Sequence, residues 1–265
     1  MKTIFRATYF YTAALLAATV FSTHARAQSS CSSDRQAAPT ALLERFISAD
    51  CSDCWAASTL PAVTKGQASL DWIVPSPRGD EAPLSAAASN EASARLAALK
   101  VAWTAALAGQ SSALLPVLPP QKQPKHQLNT VRVAHGLPFN GYIGASIEFT
   151  PSQALKSDAL TPKKLSTVNS PDRHEANAYL VLLETIPAGA EGSAVERNLV
   201  RNLLVTPWDV GQQLSIDKST GLKPFFESRP ISIPQGVNPD RLRVLGWVQD
   251  AQGKVLAMAQ SRCKP

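Results

Sequence analysis

No stretch after residue 27 is apolar for long enough to cross a bilayer as a helix, which takes about 20 residues. Aromatic residues are sparse, at 6%, and charged residues make up only 17% of the chain. Dense Lys/Arg tracts interleaved with aromatics are missing, which removes the electrostatic footprint of nucleic-acid binding. The net charge of +6 shrinks if the first 27 residues are removed. Lys2, Arg6 and Arg26 then go, and 23 basic residues face 20 acidic ones. Also missing are a Gly-x-Ser-x-Gly elbow, a phosphate-binding glycine loop and a His-Glu-x-x-His helix; His174-Glu175 lacks the second histidine at the required spacing. Hydrolase, nucleotide and zinc-protease chemistry have no motif to stand on, and no cofactor is implied.

The N-terminus has the three parts of an export signal in order. Lys2 and Arg6 begin it, Ala13–Phe21 forms an apolar core, and Ala25-Arg26-Ala27 supplies small residues for cleavage before Gln28. Residues 1–27 are therefore expected to be a signal peptide, and the product to work in the periplasm or outside the cell. Cys31 follows Gln28-Ser29-Ser30, which lacks the leucine and small residues expected before a lipidated cysteine.

The rest divides by pattern. Residues 28–37 read as a linker. From Ala38 onward, Thr40–Ile47 reads as a strand, Cys51–Leu60 as a short helix ended by Pro61, Ser69–Val74 as a strand, and Ala88–Ala108 as a helix capped by Ser89 or Asn90. This β–α–β–α order favours a small α/β domain over residues 38–113. Pro116, Pro119, Pro120 and Pro124 then mark residues 114–125 as a linker, since prolines so spaced suit neither a helix nor a central strand. Over residues 126–265, short β-branched and aromatic runs at Tyr142–Phe149, Ala178–Leu183, Leu199–Val205, Leu214–Ile216, Leu242–Val248 and Val255–Ala259 predict an antiparallel sandwich. Asp250-Ala251-Gln252-Gly253 reads as a hairpin turn.

Four cysteines remain after export: Cys31, Cys51, Cys54 and Cys263. They allow three pairings. Chain ends lie at the surface and often close together, which favours a structural Cys31–Cys263 bridge. Cys51-Ser52-Asp53-Cys54 can carry thiol–disulfide chemistry. At a helix start the first sulfur meets unpaired backbone N–H groups that favour its thiolate, so Cys51 would attack and Cys54 would resolve the mixed disulfide. Asp53 opposes that thiolate and makes the couple less oxidising than one with a neutral residue there. A static disulfide is the alternative reading of the same motif. A four-ligand zinc site has no spacing to support it. A copper site built from the two thiols of the motif and one distant histidine (His126, His135 or His174) stays open.

Glu44–Cys54, read as Glu-Arg-Phe-Ile-Ser-Ala-Asp-Cys-Ser-Asp-Cys, resembles the opening of a family of secreted bacterial thioredoxin-like proteins of unknown function. Its members carry Glu-Leu-Phe-Thr-Ser-x-Gly-Cys-x-x-Cys there. Gly192–Leu203 with Trp208, and the closing Leu242–Ala257, are similar to later blocks of that family. The resemblance implies an α/β thioredoxin-like domain followed by an antiparallel β-sandwich-like domain. It also places Glu44 before the cysteines, either as a buried proton relay for Cys54 or as a strand-edge carboxylate balanced by Arg45. A thioredoxin-like site sets a cis-proline opposite its sulfurs, and Pro138 is the nearest candidate. The family's His-x-Asp-Tyr-Trp segment is reduced here to Asp71-Trp72. Two functions follow: exchange with an exported protein or redox partner, or a non-catalytic envelope protein held by two structural disulfides.

Overall fold

The computed structural model describes residues 31–59, 63–99, 110–117, 128–152, 175–209 and 224–263. The expected export signal, the helix beyond Leu99, Pro119, Pro120, Pro124, the Leu214–Ile216 run, His126 and His174 lie outside the described residues.

Alternation of apolar and polar residues produces the clearest strand. In β6 (Tyr142–Thr150), Ile143, Ala145, Ile147 and Phe149 are buried while their neighbours face outward, the period-2 signature of a half-buried strand. It lies in a five-stranded antiparallel sheet with β1 (Cys31–Ser32), β5 (Thr130–His135), β9 (Phe225–Ser232) and β12 (Arg262–Cys263), in the order β12-β1-β5-β6-β9.

Longer apolar runs build the second sheet. It comprises β2 (Ala41–Ser48), β3 (Gln67–Val74), β4 (Gln110–Pro116), β7 (Glu175–Ile186), β8 (Arg197–Asp209), β10 (Leu242–Asp250) and β11 (Val255–Gln260), ordered β11-β10-β7-β8-β3-β2-β4. β2 and β3 run parallel, as do β3 and β8 through the pair Asp71 and Leu199; the other pairings are antiparallel. Because both faces of this sheet are covered, β2 and β3 are buried along nearly their whole length, as such strands require.

The expected α/β thioredoxin-like first half is corrected by this architecture. The described residues are mostly strand, with two α-helices, α1 (Ser52–Ala56) and α2 (Asn90–Ala98), and two large sheets. Locally the expectation follows the chain well, since β2, α1 and β3 form a parallel pair with a helix between them. What overrides it is long-range pairing: β3 meets β8, and strands from both sides of the proline-rich segment share one sheet. Pro116 sits at the end of β4, an edge strand, where a missing N–H is tolerated.

One face of the seven-stranded sheet packs on the five-stranded sheet. Val133, Ile147 and Phe149 meet Leu180, Val244 and Val248 there. Gly246 permits the close approach, because a Cβ at that position would lie 2.5 Å from Val133 Cγ1 and 2.9 Å from Ile147 Cδ1. The opposite face is covered by α2, whose Ala92, Arg95 and Leu96 are buried at helical spacing. Ser89 caps α2 by accepting the Ala92 N–H at 3.2 Å.

Candidate functional site

Strand β2 ends at Ser48, and the chain turns into α1 with Cys51 at the N-cap position. Cys51 and Cys54 form a disulfide. The Cys54 backbone N–H donates to Cys51 Sγ at 3.2 Å, so one of the unpaired donors of the helix start is aimed at the first sulfur. Both cysteines are half-buried, and Ser52 and Asp53 between them are exposed. Below the pair lie Ile47, Ala49, Ile73, Ile186 and Leu199.

A five-residue helix has too few internal hydrogen bonds to persist alone. Trp55 and Arg197 hold α1 in place. Trp55 is buried and donates its indole N–H to Glu191 O at 2.8 Å. Arg197, fully buried, donates to Cys54 O at 3.0 Å and Trp55 O at 2.7 Å, and its guanidinium stacks 5.0 Å from the Trp55 ring centre. Those carbonyls are ones a helix this short leaves without intrahelical donors.

Asp71 supplies the counter-charge. Its buried carboxylate accepts two bonds from Arg45 at 2.8 and 2.7 Å, one from Arg197 at 3.3 Å and one from the Asn198 N–H at 2.9 Å. Burial pulls the Arg197 guanidinium down from its ordinary value, and Asp71 opposes that fall. A chain of interactions thus runs from the centre of the sheet to the backbone of the Cys-x-x-Cys helix. In the sequence Asp71 stands out only as a remnant of the family segment, and Arg197, 126 positions away, carries no signal of a role here.

Glu44 is not brought to the sulfurs. It lies on the other face of β2, where it is fully buried and accepts from Trp72 Nε1 at 3.0 Å and from Arg95 Nε at 3.0 Å. Arg95 stacks between this carboxylate and the Tyr179 and Trp247 rings, 4.9 and 5.2 Å from their centres, and donates to Gln249 Oε1 at 3.2 Å. Pro138 lies in the β5–β6 connection, and no peptide bond among the described residues is cis.

Cys31 and Cys263 form the second disulfide, as facing residues of β1 and β12. Cys31 also faces His135 of β5. His135 is buried, which lowers its pKa below the ordinary histidine value. Its Nδ1 lies 2.9 Å from Gly136 O.

No family model, curated protein or solved structure matches the chain. The reading of its function therefore rests on the residues themselves.

Proposed function

We propose that the protein exchanges disulfides with an exported protein partner through Cys51 and Cys54. An exported dithiol first reduces the pair: it opens the Cys51–Cys54 bond and closes its own disulfide, leaving two protein thiols. Cys51 thiolate then attacks a partner disulfide; that bond breaks, a mixed disulfide forms and the first partner sulfur leaves as thiolate. Cys54 then attacks Cys51 Sγ, the mixed disulfide breaks, and the partner is released with the two electrons as a dithiol. The observation that carries this reading is the Cys54 N–H directed at Cys51 Sγ in a half-buried pair. In the reduced protein the same donor stabilises the attacking thiolate, and α1 is too short for its dipole to add much. With Glu44 on the far face, the proton of Cys54 passes to solvent.

Two disulfides, and no helix among the described residues long and apolar enough to cross a membrane, are compatible with a periplasmic or extracellular protein. An oxidising compartment would keep the Cys51–Cys54 pair oxidised at rest.

A second reading, a static disulfide in a non-catalytic protein, draws on the Arg197 clamp that fixes both carbonyls at the end of α1. Disulfide reduction by wild type and by Cys51→Ser separates the two. Exchange that vanishes in the variant supports the first. A potential for the pair below about −300 mV, as in inert bridges, supports the second.

A further inference from the structure

Cross-strand neighbours on one face of a sheet stand side by side, about 4.8 Å apart between strands. In the five-stranded sheet, Cys263 faces Cys31 and Cys31 faces His135, so three metal-ligating side chains form one row across β12, β1 and β5. Their ligand atoms all lie within 4.8 Å of one another. We propose that, once the disulfide is reduced, Cys31, Cys263 and His135 form a three-coordinate Cu(I) site of two thiolates and one imidazole nitrogen.

The imidazole is set up for this role. Gly136 O can only accept, so His135 Nδ1 carries the proton and Nε2 keeps its lone pair. Metal-bound histidines recurrently donate their other N–H to such a carbonyl, which fixes the tautomer and the ring. Soft thiolates select Cu(I) or zinc, and structural zinc takes four protein ligands where this row offers three. Charge favours the monovalent ion as well. Two thiolates, a neutral imidazole and Cu(I) carry a net charge of −1, and Arg243 Nη1 stands 3.6 Å from Cys263 Sγ to compensate it. A zinc ion in the same place would leave that arginine without a charge to balance.

Access comes from the Cys263 side. Cys263 is exposed while Cys31 is buried, and a cleft of about 950 Å³ reaches Arg243, Ser261 and Arg262 beside it. An exported dithiol attacks Cys263 Sγ, the Cys31–Cys263 bond breaks, and closure of the reductant's own disulfide leaves two protein thiols. Two electrons and two protons pass from the dithiol to the protein. Cu(I) then displaces the two thiol protons. The oxidised row has no thiolate to offer, so copper binding is gated by redox state.

The test uses the full chain carrying Cys51→Ser and Cys54→Ser, which removes the other thiols that would take Cu(I). It is reduced with a phosphine, desalted without oxygen and titrated with Cu(I) held as its bicinchoninate complex. The expected result is transfer of one copper per chain, none to the oxidised protein, and an absorption edge that reads two sulfurs and one nitrogen. His135→Gln is expected to weaken binding about tenfold or more and to lose the nitrogen. Failure of the reduced chain to take copper would overturn the site. So would all-sulfur coordination in the chain that keeps His135, a result independent of whether the His135 variant folds. Loss of the near-ultraviolet circular dichroism on reduction would also overturn it, because the row exists only in the folded sheet.

Discussion

Arg197→Met removes a cation that joins Asp71 to the carbonyls of Cys54 and Trp55. Breaking a buried ion pair from one side costs about 3–5 kcal/mol. The lower end is expected here, because Arg45 still holds Asp71 by two bonds; urea unfolding measures it. Glu44→Gln strips the charge from the partner of buried Arg95. A loss of about 3 kcal/mol or more is expected, with the rate of exchange at Cys51 unchanged because Glu44 lies on the other face of β2. A rate that falls in a folded Glu44→Gln protein would place that carboxylate back in the redox step. Asp53→Asn removes an exposed negative charge from between the cysteines, and equilibration with glutathione is expected to show a more oxidising couple. At this scale the sequence displays the cysteines, since Cys-x-x-Cys is local. It hides the Asp71–Arg197 link, because nothing in a strand's composition tells which arginine far along the chain will meet its aspartate.

Element by element, legibility follows burial pattern. β6, β10 and β11 stand out in the sequence through alternation or unbroken apolar runs, and the structure places them within one or two residues of expectation. β5 and β9 escape notice because polar residues interrupt them: Arg132 pairs with exposed Asp34, and Glu227 with Arg229. β2 and β3 are recognisable as strands, yet a fully buried run does not say which strands flank it. Gly246 is the element-scale lesson in packing: a glycine in a strand interior has no side chain to pack, and here that absence is what lets the two sheets touch. Gly246→Ala is expected to cost about 1–3 kcal/mol by overpacking, seen as a lower melting temperature, with Val133 and Ile147 forced to move. A melting temperature equal to wild type would mean the sheets can part without cost.

For the molecule as a whole, the disulfide between Cys31 and Cys263 spans 232 positions and fastens the two-residue strands β1 and β12 at the edge of the five-stranded sheet. Replacing both cysteines by serine is expected to lower the unfolding free energy by about 2–5 kcal/mol, chiefly by freeing the unfolded chain. Urea unfolding of that variant in oxidising buffer, where the Cys51–Cys54 bond persists, isolates the effect. The pairing could be argued from the sequence because the two cysteines sit near the chain ends. The sheet order could not, because β3 and β8 meet through a single register pair between segments more than a hundred residues apart.

Neighbouring residues Glu44 and Arg45 find opposite charges on opposite faces of one strand, Arg95 on one side and Asp71 on the other. Shifting a strand by one residue turns every side chain to the other face. In β2 a shift one way would set Arg45 in the place of Glu44, against Arg95, and a shift the other way would set Glu44 in the place of Arg45, against Asp71; each is a like-charge encounter in a place closed to water. Apolar residues alone would tolerate the misalignment, since either of Leu42 and Leu43 can stand in the other's place at little cost. The two ion pairs therefore act as a reading frame for the strand, penalising an out-of-frame alignment that the apolar residues alone would allow.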